Sequence, residues 1–213
     1  MGTKDRLPVI CADVESGKVS RLNKKNARPA VFLDRDGVLN RDMDKAPRAE
    51  NFELLPGVSE AVRLLNQSDY LSIVVTNQPM IAKGFVTFHD VDEVHKRLET
   101  ELGNEKAYLD GIYFCPHHPE KGFPGEVAEL KIDCGCRKPK PGMLLRAKED
   151  FNIDLQSSWM IGDRDSDMQA GKNAGCHTIL VGDTISGSTA ADYRFPNLLE
   201  AVRFILTRKE NND

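Results

Sequence analysis

The sequence predicts an α/β domain: a Rossmann-like three-layer sandwich built on a mostly parallel sheet, with no large cap domain. Three observations carry this expectation. Apolar runs without alternation, beginning with Ala30-Val31-Phe32-Leu33, read as short strands buried on both faces. They alternate with helical patterns, which implies βαβ units with right-handed crossovers. The connections leave room for only one substantial insertion, residues 115–141, which is rich in Pro, Gly, Cys and His.

Residues 1–28 are polar and poor in large apolar side chains. They read as an N-terminal extension and linker, followed by a domain over 29–208 and a short tail over 209–213. After the first strand, 40–51 is polar and irregular. Pro56-Gly57 opens a helix with Val58, Ala61, Val62, Leu64 and Leu65 on one face. A second strand runs over Leu71–Val75 and ends at Thr76-Asn77-Gln78. Thr87 is placed to cap a helix reaching about Leu102, striped by Val91, Val94, Leu98 and Leu102. Gly111–Phe114 is a third strand. Pro141-Gly142 opens a helix through Asp150, and Trp159–Ile161 is a fourth strand ending at Gly162-Asp163. A short helix over Ser166–Ala174, a strand over Thr178–Val181, a short strand within Ala191–Phe195 and a helix from Asn197 to about Leu206 complete the chain.

Composition narrows the function classes. Among 213 residues, 40% are hydrophobic and 29% charged, the balance of a soluble globular chain. No apolar run approaches the roughly 20 residues that span a bilayer, and the N-terminus lacks a signal-peptide core, so a cytoplasmic protein without membrane contact is expected. The net charge of −4 argues against non-specific nucleic-acid binding, which needs a basic field. Five cysteines, an odd number, argue against a disulfide framework. Cys11 and Cys176 stand apart from the other three, and Cys176 before an apolar run reads as buried.

Polar residues gather at strand ends, where open parallel sheets bind ligands. The first strand runs into Asp34-Arg35-Asp36-Gly37. Two carboxylates beside a glycine turn can hold a cation or do covalent chemistry, although Asp and Gly also make ordinary turns. Thr76-Asn77-Gln78 ends the second strand, Arg137-Lys138-Pro139-Lys140-Pro141-Gly142 precedes a helix, and Gly162-Asp163-Arg164-Asp165-Ser166-Asp167 ends the fourth strand. Each has a bland alternative: a strand end for Thr76, a solvated Lys138, a helix-dipole cluster for the aspartates. Taken in chain order, the set resembles the four signature motifs of the haloacid dehalogenase-like (HAD) phosphohydrolases over residues 30–182. That resemblance implies Asp34 as a nucleophile forming an aspartyl-phosphate and Asp36 as acid and base. Thr76 and Lys138 would bind the equatorial phosphate oxygens. It also implies a catalytic Mg²⁺ held by Asp34, Asp163 and the backbone carbonyl of Asp36, braced by Asp167.

The long loop carries Cys115-Pro116-His117-His118-Pro119 and then Cys134-Gly135-Cys136. Three thiols and an imidazole suit tetrahedral Zn²⁺, and a closed Cys₃His set is structural rather than catalytic. Cys115, His117, Cys134 and Cys136 are the expected ligands of this zinc-binding loop, residues 115–136. It would fix Arg137 and Lys138 immediately after Cys136. His118 is the spare, at the surface or behind the ligands.

Together the two constellations resemble the D-glycero-D-manno-heptose-1,7-bisphosphate 7-phosphatases, with the histidinol-phosphate phosphatases as near relatives. The resemblance implies removal of the 7-phosphate in nucleotide-activated heptose biosynthesis. It also implies substrate contacts from Asp42 to Lys45, Asn77, Gln78, Arg137 and Arg164. Val38, Pro79-Met80 and Arg164 depart from the family pattern, where Thr, Ser-Gly and Lys are expected, and bear on finer specificity. The opening Met1-Gly2-Thr3 resembles a sugar nucleotidyltransferase segment and points to the α-anomer. The expected partner is a small phosphorylated sugar, with the chain a monomer. The rivals are a histidinol-phosphate phosphatase and, in another class, a non-catalytic partner of a nucleotidyltransferase.

Overall fold

The computed structural model describes residues 7–15, 19, 23, 25–43, 47–182 and 191–210. Six strands form one sheet: β1 (Ala30–Leu33), β2 (Leu71–Asn77), β3 (Gly111–Cys115), β4 (Trp159–Gly162), β5 (His177–Val181) and β6 (Tyr193–Phe195). The order is β3-β2-β1-β4-β5-β6, and every neighbouring pair is parallel. The topology reverses beside β1, which places its carboxyl end at the crevice where such sheets bind ligands.

Among the described residues six α-helices accompany the sheet: α1 (Leu7–Glu15), α2 (Val58–Asn66), α3 (Phe88–Asn104), α4 (Gly142–Phe151), α5 (Asp165–Ala174) and α6 (Leu198–Glu210). Successive strand residues point to opposite faces. Val31, Leu33, Val74 and Ile161 therefore pack with α2, α3 and α6, while Ala30, Phe32, Ile73, Val75 and Met160 pack with α4 and α5. This explains the uniformly apolar β1, all four of whose residues are buried. Thr87 caps α3 as its sequence suggests: its Oγ accepts from the Asp90 amide at 3.1 Å, and its own amide donates to the Asp90 carboxylate at 2.7 Å.

Three local features differ from the sequence expectation. Residues 7–15 form a helix, with Pro8 in its first turn where the missing amide hydrogen is no loss, yet α1 buries none of its residues. A 3-10 turn occupies Ala49–Asn51 in the stretch expected to be irregular. β2 extends to Asn77 because β3 pairs with it as far as Asn77–Cys115.

Two main-chain bonds past the strand ends set the site. The Asp34 amide donates to the Ile161 carbonyl at 2.9 Å, holding the end of β1 against β4. The Gln78 amide donates to the Cys115 carbonyl at 2.7 Å, fastening the end of β2 to the start of the long loop.

Candidate active site

Gly37 has a φ of +85°, and a Cβ there would collide with the Asp163 carboxylate. The close approach of the β1 turn to the end of β4 therefore requires glycine at this position. It brings carboxylate oxygens of Asp34, Asp163 and Asp167 within 4.8 Å of one another. Lys138 enters from the long loop. Its Nζ donates to Asp34 Oδ1 at 2.8 Å and to the Val75 carbonyl at 2.7 Å, and lies 2.6 Å from Asp167 Oδ1. Only 3% of Lys138 is exposed, so this is a buried cation among carboxylates.

The electrostatics follow from burial. Desolvation, with the Asp167 and Asp36 charges added, pushes Asp34 up to about 6 despite Lys138. Desolvation and the Asp34 charge push Asp163 up to about 6 as well. Burial alone would lower the Lys138 ammonium, but Asp34 and Asp167 outweigh it and hold its pKa above the usual value. Asp163 Oδ1 is buried with no hydrogen-bond partner. Crowded carboxylates with an orphaned oxygen are a hard-oxygen donor set, and Asp34, Asp163 and Asp167 fit Mg²⁺. Asp167, expected to brace this site, also accepts from the Arg164 amide at 3.0 Å and so anchors the start of α5.

Asp36 is turned away from that cluster. Its Oδ1 accepts from Arg35 Nε at 3.2 Å, Arg35 Nη2 at 3.0 Å and Asn40 Nδ2 at 3.0 Å. Its Oδ2 accepts from Arg35 Nη2 and Gln78 Nε2, both at 2.8 Å. Burial alone would raise its pKa, but the Arg35 charge and these bonds outweigh it and hold the carboxyl below the usual range. The sequence reading missed Arg35 and Asn40. No local pattern in the sequence marks either residue, because both are placed by contacts to Asp36 in the folded chain.

Thr76, Asn77 and Gln78 share the end of β2 but differ in what they touch. Asn77 brackets the Lys138 backbone: its Oδ1 accepts from the Lys138 amide at 3.0 Å, and its Nδ2 donates to the Lys138 carbonyl at 3.1 Å. Gln78 Nε2 reaches Thr76 Oγ1 at 3.0 Å besides Asp36. Both amides expected to meet substrate therefore hold other side chains of the site, Lys138 and Asp36. Arg164 pairs with Asp42 at 2.7 Å. A cavity of about 380 Å³ is lined by Asp34, Asp36, Thr76, Lys138, Asp42 and Arg164, with Asn77, Gln78 and Arg137. Met43, Pro47, Pro79 and Met80 supply its apolar lining. Lys45 lies outside the described residues.

In the long loop, ligand atoms of Cys115, His117, Cys134 and Cys136 all lie within 4.8 Å of one another. The Cys115 and Cys136 sulfurs are 3.2 Å apart, and His117 Nδ1 is 3.4 Å from the Cys136 sulfur. Four convergent donors, three thiols and an imidazole, fit a structural Zn²⁺. The Gly142 amide donates to the Gly135 carbonyl at 3.1 Å, and a Cβ on Gly142 would strike that oxygen. The metal loop thus sits directly on the start of α4. Of the two places open to His118, the surface is ruled out: it is buried, with its ring edge-on to Phe123 at 5.8 Å.

Comparison with known proteins agrees with this geometry. The HAD-hydrolase-like family model matches residues 135–200. A D-glycero-beta-D-manno-heptose-1,7-bisphosphate 7-phosphatase from Yersinia pestis is 40% identical over 185 residues, 84% of this chain and 96% of that protein. The alpha-anomer counterpart from Burkholderia mallei is 40% identical over 179 residues, 83% and 93% of the two chains. The crystal structure of a D,D-heptose 1,7-bisphosphate phosphatase from B. bronchiseptica, complexed with magnesium and phosphate, superposes with a TM-score of 0.73 at 29% identity. That match covers 84% of this chain and 99% of the other.

Proposed function

Because the chain belongs to the heptose-1,7-bisphosphate 7-phosphatase family of HAD-like hydrolases, we propose that it releases the 7-phosphate of D-glycero-D-manno-heptose 1,7-bisphosphate through an aspartyl-phosphate. The observation that supports this most directly is convergence. Asp34, Asp36, Thr76 and Lys138, from three separate stretches of the chain, line one cavity at the carboxyl ends of the strands.

The geometry divides the work. Asp34 attacks phosphorus, and the bond to the sugar oxygen breaks as Asp36 gives that oxygen a proton. Water then attacks the aspartyl-phosphate, its proton returns to Asp36, and phosphate leaves with Asp34 restored. Thr76 and Lys138 stabilise the equatorial oxygens, where negative charge accumulates. Mg²⁺, when bound, would be held by Asp34, Asp163 and the Asp36 carbonyl, braced by Asp167, and would supply positive charge that offsets the repulsion between two anions. Arg137, Arg164 and Asp42 are the groups at hand for the rest of the substrate, and Asn77 and Gln78 contribute by holding Lys138 and Asp36. Five free cysteines support residence in a reducing compartment, the cytoplasm. Among the described residues no helix is long and apolar enough to cross a membrane.

The deciding experiment is kcat/KM on both heptose 1,7-bisphosphate anomers and on histidinol phosphate, with and without Mg²⁺. We expect a heptose bisphosphate to be preferred by about 100-fold or more, the discrimination that a polar site built for its substrate achieves. Asp34→Asn should remove turnover while the melting curve stays cooperative. Preference for histidinol phosphate would replace the substrate assignment. Absence of Mg²⁺-dependent phosphate release from every compound would replace the enzyme by a binding module.

A further inference from the structure

Arg35 is the largest fully buried side chain of the described residues, with 0% exposure. A buried cation costs far more than an apolar side chain of similar volume unless its hydrogen bonds are made. Here they are made unevenly. Nε and Nη2 go to Asp36, while Nη1 is buried with no hydrogen-bond partner. The neighbouring His95 on α3 is buried too, its Nε2 likewise unpartnered. Burial, together with the Arg35 charge, drives its pKa down to about 4, so the imidazole stays neutral. A residue selected for packing would not leave two orphaned groups inside the core. The one full engagement that Arg35 makes is with Asp36, whose side chain lines the cavity.

The Asp36 contacts are also divided between its two oxygens. Arg35 and Asn40 together place three donors on Oδ1. An ionised carboxylate offers about two acceptor sites per oxygen, so three donors on Oδ1 and two on Oδ2 fill both. Oδ2 receives Arg35 Nη2 and the Gln78 amide, and that amide nitrogen also touches Thr76 Oγ1 on the phosphate-binding side. Gln78 and Asn40 each carry an acceptor on the same planar group as their donor, so either can bond a bare or a protonated carboxyl oxygen. Arginine offers no such choice.

We infer that Arg35 is a positioning residue for phosphoryl transfer, gripping both oxygens of Asp36 from the core so that its carboxyl is held in place beside Gln78. As the phosphorus–oxygen bond to the sugar breaks, the Asp36 proton passes to the leaving oxygen. As water attacks, its proton returns to Asp36. Arg35 touches neither substrate nor metal and acts entirely through Asp36. This rests on Asp36 being the acid and base of the proposed reaction.

The test is a double-mutant cycle of Arg35→Met and Asp36→Asn, with Arg35→Lys beside it. Turnover is measured on heptose 1,7-bisphosphate and on p-nitrophenyl phosphate, whose leaving group needs no proton. General acid–base catalysis is worth about 100-fold or more, so Arg35→Met should lower kcat on the sugar by about that factor. KM should stay within about threefold, because phosphate binding by Thr76 and Lys138 is untouched. The nitrophenyl ester should lose about tenfold or less, since only the hydrolysis of the aspartyl-phosphate still needs Asp36. In the Asp36→Asn background the same change should cost less than about threefold, because its only route of action is gone. Arg35→Lys should fall between, keeping the charge without the two-pronged grip. If Arg35→Met does not fold, the lysine variant is read by the same cycle. Equal losses in both backgrounds, or a KM that rises with the fall in kcat, would overturn the inference. An Asp36→Asn enzyme with full activity on the sugar would overturn the acid–base assignment instead.

Discussion

Asp163 shows how a single side chain in this site trades stability against chemistry. Its carboxyl is pushed from 3.8 up to about 6, chiefly by burial and next by the Asp34 charge. The unfolded chain releases this proton near pH 4, while the folded, metal-free protein retains it to about pH 6. The native state is therefore penalised progressively as pH rises through that window. The penalty is complete above about 6 and absent below about 4. Asp163→Asn should remove it, worth roughly 2 kcal/mol after allowance for partial exposure of the group. By differential scanning calorimetry, metal-free Asp163→Asn should melt roughly 5 °C above metal-free wild type at pH 7, and the gap should close by pH 4. Added Mg²⁺ should raise the wild-type Tm and leave that of the variant nearly where it was. A gap that persisted at pH 4 would mean that the carboxylate is not under this strain.

The long loop is the element on which the active site depends. Several contacts besides its cysteines tie it down. The Val127 amide donates to the Ala82 carbonyl at 3.0 Å, Gly142 meets Gly135, and Asn77 brackets Lys138. Two variants separate the contribution of the metal from that of the bracket. Cys136→Ser removes a thiolate from the Cys₃His set, so zinc per chain should fall well below that of the wild type by elemental analysis. Its kcat/KM should fall by about tenfold or more as Arg137 and Lys138 lose their anchor. Asn77→Ala removes both bonds to the Lys138 backbone and leaves the thiols alone. It should keep its zinc and lose about tenfold in kcat, because Lys138 must meet the phosphate with sub-ångström accuracy. Full activity in a zinc-depleted Cys136→Ser protein would detach the loop from catalysis.

At the scale of the whole molecule, the sheet and its two helical layers form a unit from about Arg28 onward. The Arg28 side chain donates to the Asp69 carbonyl at 3.1 Å, and its amide donates to the Asn152 carbonyl at 3.2 Å. α1 precedes this unit and buries none of its residues, although it exposes Leu7, Val9, Ile10 and Val14. We propose that the phosphatase domain begins at about residue 29, with α6 carrying it to Glu210 rather than leaving a tail from 209, and that the residues before it are an extension. A chain beginning at Asn23 should melt within about 2 °C of the full sequence and keep its kcat/KM, since α1 buries none of its residues and so adds little to stability. A drop of about 5 °C or more would make the extension part of the fold.

Much of this architecture was legible in the amino-acid order because it rests on local signals. A four-residue apolar run specifies a strand buried on both faces wherever it lies, and Thr87 with Asp90 specifies a helix start from residues three apart. The thiols and imidazole of the long loop were legible for a similar reason: metal ligands declare themselves by type and number. The placement of Asp34, Thr76, Lys138 and Asp163 at strand and helix ends could likewise be read from where each run stops. What the sequence could not supply is the direction in which a polar side chain turns. Asn77 faces the Lys138 backbone 61 residues away, and Gln78 faces Asp36 42 residues away. Both partnerships exist only because β1 and β2 lie parallel in one register and the long loop folds back over them. Burial of Arg35 was equally hidden. Nothing adjacent in sequence requires a cation in the core, and only the packed sheet closes over it and leaves Asp36 as its partner. Sequence by itself determined the strands, the loop and the inventory of reacting groups. Tertiary structure decided which of those groups face the cavity and which hold the others in place, because hydrogen-bond partners are chosen by proximity in space.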